Sequence, residues 1–327
     1  MMFFTKSKIA AVALCAISYA SAQSGTVVES LKAQANMTII TSIVEKAFAA
    51  SGGIPTSPIT IFAPTDAALL AAGADKLSED VVNAIVSYHI LGLTVKSTDA
   101  KADVAFFDTL LTSKDYVNLP NGAAQKLGVY LSNGAVRLND GSFDPITSPV
   151  NIVKADIAST NATVHIIDKV LKVPGKLSEA LAGSPRLALI GKLLDQANLT
   201  STLDDAAGIT LFAPFESAIQ AVLKTNIDPS IENLTPIFLN HAIVGSAVYS
   251  SLITGPVSVD SALKGSKLNA NRNSSNQVTI NDNIVQVANL LTRNGVIHGI
   301  DAVLVPEASV YTPKTLPKKP KCAKYTN

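Results

Sequence analysis

The chain reads as an α+β protein built of two tandem domains, and three observations carry that reading. A phrase with the look of strand, turn and helix, "ITIFAPTDAALLAA" at 59–72, returns as "ITLFAPFESAIQAV" at 209–222, 150 positions later. Apolar residues at helical spacing precede each copy, and short β-rich segments separated by turn residues follow it. The copies also close alike, on "VHIIDKVLKVP" at 164–174 and "IHGIDAVLVP" at 297–306.

The elements follow in chain order. Lys6 and Lys8 precede the apolar run 9–17, and Ala20-Ser21-Ala22 has the small-residue pattern of a cleavage site, so residues 1–22 are expected to be a secretory signal. A run of about 10 apolar residues falls short of the roughly 20 that a membrane span needs. Leu31, Ile39-Ile40 and Ile43-Val44, matched by Leu181, Leu189-Ile190 and Leu193-Leu194, predict an amphipathic helix ahead of each phrase. Within the phrase, a strand over 59–62 stops at Pro64, which cannot donate to a sheet ladder, and a helix follows over 67–72. Thr65 or Asp66 can accept a hydrogen bond from the free amides of that helix, worth about 1 kcal/mol. Phe215 and Glu216 stand there in the second copy and cap poorly, which leaves that turn to packing or to Ser217.

Further on, "SYHIL" at 87–91 parallels "LNHAIV" at 239–244. Asn133-Gly134 between alternating runs signals a hairpin, and 148–168 reads as two more strands. In the second copy the bends are expected at Asn281–Asn283 and Asn294-Gly295. A period this long means duplication of a domain, since solenoid units run about 20 to 50 residues. The expected organisation is signal 1–22, domain one 23–174, domain two 175–307 and a Lys/Pro-rich disordered tail 308–327.

These blocks, taken twice in the same order, resemble the fasciclin-like proteins: "TIFAPTDAAL" and "TLFAPFESAI", the central Tyr88-His89 and Asn240-His241, and the two closing phrases. The resemblance implies two β-wedge or sandwich domains flanked by several helices. It also implies a secreted or surface-displayed protein that acts in adhesion, matrix or cell wall, often through glycans or receptors. Family members that engage integrins carry a Tyr-His patch with apolar neighbours, which Tyr88, His89, Ile90 and Leu91 match; in domain two Asn240 breaks the pair and leaves His241. There is no Arg-Gly-Asp. The C-terminus ends polar, so an anchor signal with a greasy tail is not expected.

Catalytic constellations are weak. All four histidines, His89, His165, His241 and His298, fall in repeated motifs, yet no His-x-x-x-His, paired cysteines or calcium loop accompanies them, and hydrogen-bonding structural roles are expected, with no metal and no cofactor. His165 with Asp168, and His298 with Asp301, would point to opposite faces of a strand, and no Gly-x-Ser-x-Gly elbow supplies a nucleophile. Asp168 and Asp301 are expected to hold backbone amides at a strand end. No enzymatic activity is expected. With no Trp and 5% aromatics, a lectin-like pocket has few platforms, Tyr88, Tyr130 and Tyr249 being the available rings.

Five Asn-x-Ser/Thr acceptors, Asn36, Asn161, Asn198, Asn233 and Asn273, are glycosylation candidates. With Cys15 in the signal, Cys322 is the lone thiol of the mature chain and is available for an intermolecular disulfide. Removing Lys6 and Lys8 takes the formal charge from +1 to −1, and the tail from 311 onward supplies +5, so the body carries about −6. Such an arm can hold anionic polysaccharide or membrane surface, and a nucleic-acid partner is not expected for a secreted protein with an acidic body. The function expected is that of a secreted glycoprotein that binds extracellular matrix, cell-wall polysaccharide or a cell-surface receptor, with weak self-association and no transmembrane span. The alternative is an extracellular carrier of a small apolar ligand or lipid in a cleft of the fold.

Overall fold

The computed structural model describes residues 25–50, 53, 57–142, 149–224, 230–308 and 310–311. The expected signal and nearly all of the tail, Cys322 included, lie outside the described residues.

In the first repeat, α1 (Val27–Lys32) and α2 (Thr38–Ala50) lead into β1 (Ile59–Pro64), α3 (Asp66–Ala71), α4 (Glu79–Tyr88), β2 (Ile90–Leu91), β3 (Ala105–Asp108), β4 (Lys126–Ser132), β5 (Ala135–Asn139), β6 (Val150–Ser159) and β7 (Ala162–Ile167). The second runs α5 (Leu177–Gly183), α6 (Ala188–Gln196), α7 (Thr200–Asp205), β8 (Ile209–Pro214), α8 (Glu216–Leu223), α9 (Ile231–Asn240), β9 (Ala242–Val244), β10 (Val257–Asp260), β11 (Lys267–Arg272), β12 (Val278–Ile280), β13 (Asn283–Thr292) and β14 (Gly295–Ile300). The architecture is α+β, one seven-stranded sheet per repeat, in the orders β2-β1-β7-β6-β5-β4-β3 and β10-β11-β12-β13-β14-β8-β9.

Each sheet has one parallel pair, β1 with β7 and β8 with β14, while its other neighbours run antiparallel. The opening and closing phrases of a repeat are therefore partners at the centre of one sheet: Phe62 stands beside His165, and Phe212 beside His298. Every residue of β1, β8 and β14 is buried, as a strand covered on both faces requires. In β1, Ile59, Ile61 and Ala63 join Leu31, Ile40 and Val44 in the core under the leading helices. Phe62 points the other way, into a core with Tyr88, Leu127, Leu138 and Ile167.

Turn chemistry explains the connections. Asn133 (φ 52°) and Gly134 (φ 75°) both take positive φ, the requirement of a two-residue type I′ hairpin, and Asn281 (φ 45°) and Asp282 (φ 65°) do the same between β12 and β13. Asn294-Gly295 works differently. Asn294 ties its Nδ2 to the carbonyls of Leu203 and Ala206, and a Cβ on Gly295 would stand 1.9 Å from the Ile209 carbonyl oxygen. Glycine is there so that β14 can close on β8.

Candidate functional site

The histidines come in two kinds, each present once per domain. His89 follows the last turn of α4; its Nδ1 donates to the Ile85 carbonyl at 2.7 Å and its Nε2 accepts from the Leu171 amide at 2.9 Å. His241 repeats this after α9, with the Ile237 carbonyl at 2.7 Å and the Leu304 amide at 2.8 Å. Each ring thus ties a helix end to the chain leaving the last strand. Both are buried, and desolvation pulls each pKa down to about 4, against a smaller opposing contribution from the carbonyl, so both rings are neutral at neutral pH.

His165 and His298 are the opposite tautomer. His165 Nε2 donates to the Val95 carbonyl at 2.9 Å and its Nδ1 accepts from the Asp156 amide at 3.2 Å; for His298 the partners are Val248 (2.9 Å) and Asn289 (3.3 Å). Asp156 (φ 56°) and Asn289 (φ 64°) are left-handed residues at the bulges of the long strands β6 and β13, so each imidazole fixes a bulge. The bulged side chain then grips a serine: Asp156 accepts from the Ser97 amide and hydroxyl, whereas Asn289 accepts the Ser250 amide on its Oδ1 and donates its Nδ2 to the Ser250 hydroxyl oxygen. Phe62 and Phe212 stack on the two rings at 5.4 Å. Thr60 and Thr210 complete the set, each donating to a loop carbonyl and accepting from the amide of Val95 or Val248. Desolvation pulls His298 down to about 4 as well.

The Tyr-His patch therefore is no surface. Tyr88 is 0% exposed, with its hydroxyl donated to the Lys126 carbonyl at 3.0 Å, and His89, Ile90, Leu91 and His241 are also buried. Their apolar neighbours mark core because β2, directly after α4, pairs with β1. This corrects the expectation of an adhesive surface at these five residues.

His165 and Asp168 do not meet as a couple. Asp168 accepts from the amide of Asn151 at 2.8 Å and from its Nδ2 at 2.7 Å, while Asp301 accepts from the Gln286 Nε2 at 3.3 Å, a side chain where a backbone amide was expected. Thr65 caps α3 through the Ala68 amide at 3.2 Å. Asp66 serves another helix, accepting from the Thr38 amide and hydroxyl and the Ile39 amide at the start of α2. Desolvation raises its pKa, but those hydrogen bonds outweigh it and the net shift is downward. In domain two Phe215 has no capping bond; its ring lies under the Arg186 guanidinium at 3.6 Å and fills the space over Gly299.

Of the sequons, Asn36, Asn161 and Asn198 are exposed and left-handed, and Asn273 is half-buried in a turn that it closes through the Ser275 and Gln277 amides. Asn233 is 0% exposed and its Oδ1 accepts from the Tyr311 hydroxyl at 2.5 Å, so the folded chain has no room for a glycan there. Local sequence spells the acceptor, and tertiary packing removes it.

Two features were not read from the sequence. The first is a polar and aromatic seam between the repeats. Phe106 of β3 stacks on Tyr249 at 4.6 Å, the Asn118 amide and carbonyl pair with the Arg293 carbonyl and the Gly208 amide, and Gln125 and Asn139 donate to the carbonyls of Thr292 and Asn289. Arg272 lies 3.7 Å from Asp103 at the edge of that seam. The signal available was Phe106 itself, an aromatic where the matching strand of the second repeat, "VSVD", has Ser258. The second is an apolar cavity of about 220 Å³ in domain one, between α2, α3, α4 and β1, with Ile43, Val44, Phe62, Leu69 and Val86 among its walls. Among the described residues no group of three or more His, Cys, Asp or Glu side chains could hold a metal ion, and no helix is long and apolar enough to cross a membrane.

A duplicated α+β unit with its histidines spent on its own backbone defines a class of tandem-domain proteins. The chain belongs to the fasciclin domain family, which matches residues 26–174 and 185–306. It is similar to the fasciclin-like arabinogalactan protein CTB11 of Cercospora beticola, at 29% identity over 265 residues, covering 77% of this chain and 68% of that protein. A fasciclin-like arabinogalactan protein of Arthroderma benhamiae is 27% identical, with 72% of this chain and 54% of the relative covered. The transforming growth factor-beta-induced protein ig-h3 of Sus scrofa is 25% identical over 76% of this chain, which spans 35% of its length. Among solved structures, a FAS1 domain pair from the insect cell adhesion molecule Fasciclin I aligns over 83% of this chain and 94% of that one, at 18% identity and a TM-score of 0.40.

Proposed function

We propose that the protein is a secreted glycoprotein that works by binding, holding cells to extracellular matrix or cell wall through the outer surfaces of its two fasciclin domains. The fasciclin domains and the fasciclin-like relatives support a role in cell adhesion or at the cell surface. The observation that carries the reading is the seam. Phe106 on Tyr249, with Asn118, Gln125 and Asn139 spent on backbone of the other repeat, presents two domains as one unit. Two weak contact surfaces held in one orientation engage an extended polymer or a receptor array together, with an avidity neither has alone. Histidines whose ring nitrogens are committed to backbone partners supply no free base or metal ligand, which favours binding over turnover. The exposed sequons Asn36, Asn161 and Asn198 would carry the glycans, and partners would be matrix components, wall polysaccharide or cell-surface receptors.

The test is retention of the glycosylated protein on insoluble wall or matrix material across a salt series, with and without residues 312–327. Binding that survives roughly 1 M salt, where charge attraction beyond about 3 Å is screened, and survives loss of the tail assigns recognition to the folded domains. Binding lost under either treatment assigns attachment to the lysine arm and overturns the reading.

A further inference from the structure

The two domains solve the same packing problem with different volumes. The cavity of about 220 Å³ in domain one has a counterpart in domain two, walled by Leu193, Pro214, Ile219 and His241 in the positions of Ile43, Pro64, Leu69 and His89, and only about 30 Å³ is left there. Three exchanges account for the loss: Ala72 becomes Val222, Val82 becomes Leu234, and Val86 becomes Phe238. The fold does not need the cavity, because its own second copy fills it.

Chemistry inside the cavity is uniform. Its polar lining residue, His89, has both nitrogens taken by backbone partners, so it offers ring carbon and no hydrogen bond. An apolar cavity of about 150 Å³ is large enough to hold benzene and stays dry, and by that measure 220 Å³ holds roughly nine carbons. The approach is apolar too. Leu77 (36% exposed) stands among its lining residues, and Leu70 (65% exposed), whose counterpart is Gln220, lines the adjoining cleft. A second, wetter cleft shares Ile43, Leu69 and Ala74 with the cavity and adds Ser42, Lys46 and Asp75.

We propose that domain one is a binding site for the aliphatic chain of a single-chain lipid, the chain filling the space between α2, α3, α4 and β1 and the polar end emerging beside Ser42 and Lys46. Domain two has no such site. The assignment stands apart from the adhesion reading, since a carrier site on an adhesive protein and an adhesive surface on a carrier are separable properties.

Linear 1-alkanols from six to twelve carbons are the probe, titrated into the full-length protein by calorimetry. Kd should tighten roughly fourfold per added methylene up to about nine carbons and then level off, at one site per chain. Val86→Phe, which installs the residue domain two already accommodates, should weaken binding at least tenfold; reverting all three exchanges together, Val222→Ala, Leu234→Val and Phe238→Val, should open a second site and raise the stoichiometry from one to two. If Val86→Phe fails to fold, Ala72→Val reads the same loss from the opposite wall. No saturable binding by the wild-type chain up to alkanol solubility, or alkanol affinity unchanged in a folded cavity-filling variant, overturns the proposal.

Discussion

Domain one and domain two spend the same residues on the backbone and different residues on volume. Both pin a helix end with one histidine, a strand bulge with another and a loop with a buried threonine, and the donor and acceptor atoms agree pair by pair. At three cavity positions and at the cap before α3 or α8 they diverge. The repeats thus separate what a fasciclin domain needs from what it can vary: hydrogen bonds to buried backbone leave no substitute, because an orphaned amide or carbonyl costs about 1–3 kcal/mol, whereas apolar space can be filled or left open.

Acid is the strongest way to break this pairing. His89, His241 and His298 have folded pKa values near 4, set by desolvation, against about 6.5 for an unfolded histidine. Between pH 6.5 and 4 the unfolded chain binds protons that the folded chain refuses, so stability falls as pH drops through this window and is flat above it. Each site contributes a slope of about 1.4 kcal/mol per pH unit. Two of the three lie in domain two, so its amides should lose hydrogen-exchange protection first on acidification. Equal loss in both domains, or denaturation midpoints constant from pH 7 to 4.5, would show that the rings are not held neutral.

Gly208 sharpens the comparison at the seam. It sits at φ 81°, and a Cβ there would stand 2.4 Å from the Pro120 Cγ of the other domain. Gly208→Ala should cost about 3 kcal/mol, combining left-handed strain with the clash, read from chemical denaturation. Phe106→Ala, which removes the ring stacked on Tyr249, should cost about 2 kcal/mol and split one unfolding transition into two. A single unshifted transition in Phe106→Ala would mean the domains are not energetically joined.

Much of the fold was legible because its signals are local. Pro64 ends a strand, Thr65 caps a helix, and Asn133-Gly134 forms the hairpin the pair predicts. What failed was whatever depends on a distant partner. Tyr88-His89 with apolar neighbours reads equally as a patch or as core, and the atoms that decide it, the Lys126 carbonyl and the Leu171 amide, lie 38 and 82 residues on. Asp66 looks like a cap for its own helix and serves one that begins 28 residues earlier. The Asn233 sequon is complete in sequence and is closed by Tyr311, 78 residues away. The site candidates suffered most, since exposure is a property of the packed chain.

The smallest effect is at the cap, where the two copies differ by one side chain. Thr65 accepts the Ala68 amide at 3.2 Å, so Thr65→Ala should cost about 1 kcal/mol, with fraying limited to the first turn of α3. Phe215 holds the same backbone angles without any capping bond and is 4% exposed. Phe215→Thr would supply the missing acceptor and gain about 1 kcal/mol, while removing a buried ring from Arg186 and Gly299 at about 3 kcal/mol. The net loss of about 2 kcal/mol, measured beside Thr65→Ala in the same denaturant series, would establish that one turn is held by a hydrogen bond and its twin by packing. A stabilised Phe215→Thr chain would instead show that the second turn is merely uncapped.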